Sequence, residues 1–191
     1  MSKFFHKSII ITAPSGAGKT SITRYLLNTF PELAFSVSAT TREPRSNEKN
    51  GVDYYFIPVE TFKEKIQKKD FIEWEMVYEG RYYGTLKQEM ERIWALDKLP
   101  VLDIDVQGAI HVQQQYPSTT ISLFIQPPSI DELKKRLEGR GSETAKSLEA
   151  RVNKAAYELS FHHYFENVIV NKDFATACFE AANIVRQFID K

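Results

Sequence analysis

The sequence predicts an α/β fold in three layers, a central parallel sheet covered by helices on both faces, with a mixed α/β segment inserted into it. Short apolar runs alternate with amphipathic helical patterns along most of the chain, as expected of buried parallel strands joined by helices. That rhythm breaks between about residues 37 and 85, where the sequence is aromatic-rich and mostly non-helical, which points to an insertion. At 191 residues the chain is long enough for one well-buried domain and too short for two full ones.

Taken in order, Ser8–Ala13 reads as the first buried strand. It is too short to span a membrane, and no small-residue cleavage pattern follows it. A helix is expected from about Gly18 to Thr29, then an extended run at Ala34–Ala39 and a polar, turn-rich stretch over residues 40–53. Tyr54–Pro58 reads as a strand, Thr61–Lys69 as a helix and Phe71–Tyr78 as a second strand. An amphipathic helix carries Leu86, Met90, Ile93 and Trp94 on one face. Strands follow at Val101–Asp105 and Ile121–Gln126, with a helix at Gln107–Tyr116 between them.

Ser129, with Glu132 three residues on, forms a capping box for a helix striped by Ile130, Leu133 and Leu137. Arg140-Gly141-Ser142 breaks the pattern before a helix carrying Leu148, Val152, Ala155, Ala156 and Leu159. Asn167–Asn171 and Asp173–Ile189 are the last strand and helix.

Lys+Arg and Asp+Glu both total 25, so no net charge is available to hold a polyanion or an anionic membrane. Nucleic acid and membrane are therefore not expected partners, and any phosphate must be bound by locally placed groups. The single cysteine, Cys178, lies on the apolar stripe Phe174, Ala177, Cys178, Ala181, Ile184, Val185, Phe188 and reads as a small core residue. One thiol excludes an internal disulfide and fits a reducing, cytoplasmic setting. His6, His111, His162 and His163 show no metal-ligand spacing.

The strongest local signal is the run Ala13, Pro14, Ser15, Gly16, Ala17, Gly18, Lys19, Thr20. It follows a strand and precedes a helix, the context of a P-loop. Small residues let backbone N–H groups turn inward around phosphate oxygens, and the helix N-terminus adds its dipole. Lys19 is placed to reach the β- and γ-phosphates of ATP, and the Thr20 hydroxyl to ligate Mg²⁺. Ala13 stands where the usual pattern has its first glycine. The apolar strand Val101-Leu-Asp-Ile-Asp105 ends in carboxylates, a Walker B arrangement that puts Asp103 or Asp105 beside the metal.

The inserted segment supplies a candidate acceptor site. Arg42 and Arg45 lie three residues apart in a turn-rich stretch, and guanidinium forks suit bidentate binding of a phosphate. Glu48, Gly51, Asp53-Tyr-Tyr-Phe56, Phe71-Ile-Glu-Trp-Glu75 and Tyr82-Tyr-Gly-Thr85 follow. The tyrosines offer hydroxyls and stacking faces.

Together these segments resemble the guanylate kinase family. The pattern S-x-T-T-R-x-P-R, then E-x-x-G-x-D-Y-x-F, occupies residues 38–56. F-I-E-W at 71–74, Y-Y-G at 82–84, L-D-I-D-x-Q-G at 102–108, K-R-L-x-x-R-G at 135–141 and Val168-Ile-Val-Asn171 also match. The resemblance runs from about residue 8 to the C-terminus.

It implies a P-loop kinase that moves the γ-phosphoryl group of ATP onto GMP or dGMP. The implied division is a core of 1–36 and 86–191, a GMP-binding insert of about 37–85 and a small lid of about 137–151. It implies that Arg42, Arg45, Tyr54 and Tyr83 hold the GMP phosphate. Ser38, Glu73, Gly84, Thr85 and Asp105 would surround guanine, Thr85 standing where the family more often has serine. Asn171 would contact adenine. Thr20 and Asp103 would hold Mg²⁺, largely through water. Lys19, Arg42, Arg136, Arg140 and Arg151 would surround the transferring group.

The chemistry of guanine agrees. Its N1–H and N2–H₂ donors match an ionised carboxylate such as Glu73, whereas adenine would leave that carboxylate unpaired. Two rivals are a non-catalytic interaction module of the same fold and a P-loop kinase for another acceptor. The sequence is compatible with a homo-oligomer and does not specify one.

Overall fold

The computed structural model of the chain describes residues 3–139 and 145–191. In chain order the elements are β1 (Ser8–Thr12), α1 (Lys19–Thr29), β2 (Leu33–Phe35), β3 (Ala39–Thr40), β4 (Tyr55–Phe56), α2 (Val59–Gln67), β5 (Phe71–Tyr78) and β6 (Arg81–Leu86). They continue as α3 (Lys87–Ala95), β7 (Leu99–Asp103), α4 (Val106–Gln115), β8 (Thr120–Gln126), α5 (Ile130–Glu138), α6 (Ala145–Leu159), a 3₁₀ turn at His162–Tyr164, β9 (Asn167–Val170) and α7 (Phe174–Ile189).

The main sheet runs β2-β7-β1-β8-β9, and every neighbouring pair is parallel. Alternate residues of β1 serve opposite cores. Ile9 and Ile11 pack with Ile22 and Leu26 of α1 and Val185 of α7. Ile10 packs on the other face with Met90 of α3 and Ala109 and Val112 of α4. Burial on both faces is why this strand reads as an unbroken apolar run.

A second sheet, ordered β4-β3-β6-β5, is mixed: β3 pairs parallel with β4 and antiparallel with β6, and β5 and β6 are antiparallel. It has its own small core of Ala39, Phe62, Phe71 and Leu86. The extended run expected at Ala34–Ala39 is divided between the sheets. The Ser36 amide makes the last bond to β7, at Val101 O, 2.9 Å. Val37 then turns out of the main sheet, and Ala39 joins the second.

The capping box at Ser129 forms, its hydroxyl accepting from the Glu132 amide at 3.1 Å. Ile130 and Phe174, expected on apolar stripes, are exposed. Each is the first residue of its helix, and the buried face begins a turn later. Cys178 is buried. No helix among the described residues is long and apolar enough to cross a membrane.

Candidate active site

β1 and β7 lie side by side with Ile11 opposite Asp103. Their carboxyl ends deliver residues 13–20 and the Asp103–Asp105 segment to one crevice, where open α/β sheets place ligands. A cleft of about 300 Å³ opens there, lined by Pro14, Ser15, Gly16, Gly18, Lys19 and Thr20, with Asp105 and Glu158 opposite. α4, α5 and α7 are capped by the side chains of Asp105, Ser129 and Asp173. α1 starts behind Gly18 with no side-chain cap and no acidic residue in its first turn. Its orphan amides and positive dipole end are left to an external anion. Lys19 Nζ pairs with Asp103 Oδ1 and donates to Ile104 O at 3.3 Å.

Gly18 is required for two reasons. Its φ is +101°, and an added Cβ would stand 2.3 Å from Asn171 Nδ2. That nitrogen donates to Ala17 O at 2.8 Å, and Asn171 is 5% exposed, so it has no room to withdraw. Gly18→Ala is therefore expected to cost about 1–2 kcal/mol for the left-handed backbone alone, plus the displacement of Asn171. Thermal unfolding and the KM for ATP should both worsen. An unchanged KM for ATP would mean that the loop geometry does not depend on this glycine.

A second cleft, about 230 Å³, adjoins the first. Ser38, Tyr54, Glu73, Glu75, Tyr83 and Gly84 line it, and Lys19, Asp103 and Asp105 close its inner end. Glu73 comes from β5, Tyr83 and Thr85 from β6, with Glu73 opposite Thr85 in the ladder. The Thr85 hydroxyl donates to Glu73 Oε1 at 2.6 Å. Glu73 is 7% exposed. Burial is the main reason its carboxyl is pushed up to about 7; the Thr85 hydroxyl opposes this and the nearby Asp105 charge adds to it. Gly108 of α4 lets the carboxylate approach, since a Cβ there would lie 2.9 Å from Glu73 Oε2 and 3.2 Å from Asp105 Oδ1. Four carboxylates and several hydroxyls facing a largely apolar cleft make an acceptor-rich wall suited to a ligand edge that carries N–H donors.

The guanylate kinase family model matches residues 5–188 of the chain. The chain belongs to the guanylate kinase family. A guanylate kinase of Bacteroides fragilis is 47% identical over 183 residues, covering 96% of this chain and 90% of the relative. One of Porphyromonas gingivalis is 44% identical over 186 residues, covering 97% and 99%. The crystal structure of guanylate kinase from Anaplasma phagocytophilum superposes with a TM-score of 0.77 at 30% identity, covering 97% of this chain and 87% of that one.

In this guanylate kinase-family chain Arg42 is engaged by its own segment. It makes two 2.6 Å bonds to Glu48 and lies over the Tyr54 ring, 4.9 Å from its centroid. Glu48 also accepts from the Arg45 amide at 2.8 Å. The Arg42 guanidinium is the main reason the Glu48 carboxyl is held down at about 2. The Tyr54 and Tyr83 rings meet edge-on at 6.0 Å, so the arginine and both tyrosines form one surface. Arg45 is exposed.

Arg136, on α5, donates to Asn171 O at 3.0 Å, and Arg151, on α6, donates to Ser15 Oγ at 2.9 Å. Arg151 is thus held at a residue that lines the first cleft, whereas Arg136 is held at the end of β9, where Asn171 does not line it. Asn171 points into the loop's underside, towards Ala17 O. Arg140 and Gly141 lie outside the described residues.

Sequence reasoning missed Glu158. It is 9% exposed and lines the first cleft. Burial raises its carboxyl pKa, with Lys154 opposing. The available signal was a glutamate three residues after Ala155, within the apolar stripe of α6. Among the described residues no group of three or more His, Cys, Asp or Glu could hold a metal ion. Any Mg²⁺ would rest on the Thr20 hydroxyl, Asp103, water and substrate phosphates, a donor set that suits this ion.

Proposed function

We propose that the chain is a guanylate kinase that transfers the γ-phosphoryl group of ATP to a phosphate oxygen of GMP, or of dGMP, giving ADP and GDP or dGDP. The observation that carries this is the meeting of the two clefts at Lys19 and Asp105. A loop fit for the triphosphate and a carboxylate-lined pocket fit for guanine share their inner wall, so donor and acceptor phosphates face each other.

An acceptor oxygen attacks the γ-phosphorus as the bond to the ADP oxygen breaks. Little covalent chemistry is asked of the protein beyond alignment and charge neutralisation. The amides of residues 15–20 and Lys19 hold the donor phosphates. Glu73, ionised, accepts from guanine N1–H and N2–H₂, with Ser38, Gly84, Thr85 and Asp105 around the base. Arg42, Arg45, Tyr54 and Tyr83 take the GMP phosphate, Arg42 exchanging Glu48 for the ligand. Mg²⁺, held by Thr20 and by Asp103 through water, supplies charge neutralisation at the phosphate oxygens when bound. Arg136, Arg140 and Arg151, in and beside a lid of about residues 137–151, neutralise the transferring group. The insert of about 37–85 closes with that lid over the core of 1–36 and 86–191 and excludes water. Asn171 supports the loop beneath the nucleotide, its reach to adenine being secondary.

The nucleotide pools that this reaction serves, and the single buried thiol, favour the cytoplasm.

ADP release from Mg-ATP with GMP, AMP, CMP, UMP and dTMP in turn tests the reaction. GMP is expected to exceed every other acceptor by about 10³-fold or more in kcat/KM. Equal turnover of another monophosphate would sink the assignment of the second cleft.

A further inference from the structure

Glu89, in the first turn of α3, is 2% exposed and has no part in either cleft. Its carboxylate is nonetheless saturated. Oε1 accepts from the Val37 amide at 3.0 Å and from Arg92 Nη2 at 2.8 Å. Oε2 accepts from the Tyr55 hydroxyl at 2.9 Å and from Arg92 Nε at 2.9 Å.

These partners span the two crossings between the sheets. Val37 lies on the outgoing crossing, between Ser36, bonded to β7, and Ser38, whose carbonyl accepts from the Tyr55 amide at 2.9 Å. α3 begins at the return crossing, straight after β6. Tyr55 belongs to β4, within the second sheet. One carboxylate therefore ties both connections and a strand of the second sheet to a helix packed on the main sheet.

We infer that Glu89 is a positioning residue that fixes the second sheet against the main sheet and so aligns Ser38 and Tyr54 with the acceptor. The inference rests on the proposed function and deepens it. Ser38 is the next residue after Val37, and Tyr54 the one before Tyr55, and both line the second cleft. A shift at the carboxylate is passed to the acceptor side by one residue of backbone, while the phosphate loop that follows β1 is reached only through the packing of α3 on the main sheet. All four donors point at Glu89, so only a group that donates nothing can satisfy them. Burial alone would raise its carboxyl pKa, but Arg92, the Val37 amide and the Tyr55 hydroxyl outweigh it and hold the pKa low.

The test compares Glu89→Gln and Tyr55→Phe with the unaltered enzyme, measuring KM for GMP and for ATP, kcat and the melting temperature. Glutamine turns an N–H₂ towards donors, and phenylalanine removes a single hydroxyl from a partly buried residue. The KM for GMP is expected to rise about tenfold or more in Glu89→Gln and about threefold in Tyr55→Phe, with the KM for ATP within about twofold of the parent. Equal rises in both KM values would indicate general loosening and overturn the inference. So would an unchanged KM for GMP in a folded Glu89→Gln. Should that variant fail to fold, Tyr55→Phe decides by the same split. A parent enzyme without GMP-dependent turnover would instead refute the proposed function, which separates the two failures.

Discussion

Lys19→Ala is expected to lower kcat for GMP phosphorylation by about 10²–10³-fold, the range for loss of one preorganised cationic or hydrogen-bond donor at developing charge. Lys19 stands at the junction of the two clefts, where the transferred group must pass, and among the described residues no other lysine lines either of them. The fold should survive. Lys19 and Asp103 are each about a fifth exposed, and such a partly exposed pair contributes about 1 kcal/mol at most. The melting temperature should therefore move by only a few degrees, roughly 2–4 °C per kcal/mol for a domain of this size. Lys19→Arg should rescue poorly, because a planar fork replaces a compact ammonium where Ile104 O and Asp103 crowd the terminus. Steady-state kinetics at saturating ATP and GMP decide it. A kcat within tenfold of the parent would show that the loop amides carry the phosphate charge without the lysine.

Glu73→Gln is expected to reduce kcat/KM for GMP by about 10²–10³-fold and to narrow the preference over AMP. A glutamine can accept one guanine N–H, but its own N–H₂ then faces the other donor. Towards adenine the same amide is complementary, offering one donor and one acceptor. The melting temperature should shift the opposite way to activity. The Glu73 carboxyl, at 4.5 when unfolded, is pushed up to about 7 in the fold, chiefly by burial.

The folded state therefore holds its proton more tightly than the unfolded chain between about pH 4.5 and 7. The parent's stability falls as pH rises through that window, by about 3 kcal/mol at most, and is flat above it. Glu73→Gln removes this dependence and should match the parent below the window and exceed it above. GMP affinity of the parent should improve as pH rises through about 7, where Glu73 ionises. The phosphate of GMP also loses a proton near pH 6, so the component lost in Glu73→Gln is the one that belongs to the carboxylate. A parent and variant with parallel pH profiles for KM(GMP) would remove Glu73 from base recognition.

Much of this was legible in the sequence because it is local. The loop at 13–20 is defined by small residues and a lysine between a strand and a helix, and no distant contact is needed to see it. The Ile9–Ile11 run shows burial on both faces, and Ser129 with Glu132 writes its own helix start. Phe71–Tyr78 reads as a strand, but Arg81–Leu86 does not declare itself as its partner, and only the β5–β6 ladder sets Glu73 opposite Thr85.

What the tertiary structure alone decided is long-range and electrostatic. That Gly18 must be glycine depends on Asn171, which is 153 positions away along the chain and within 2.3 Å of a would-be Cβ. Asn171 reads as a nucleotide contact by resemblance, and the fold adds that its Nδ2 donates to Ala17 O. Glu89 sits in an ordinary amphipathic helix with Arg92 one turn on, and only folding brings Val37 and Tyr55 to it. Glu158 resembles any solvated helix glutamate until α6 lays it against the loop. A sequence specifies burial by periodicity, which is a property of neighbours. The partner of a buried charge comes from wherever the fold returns the chain, and that partner decides whether the charge binds a ligand, holds a loop or joins two sheets.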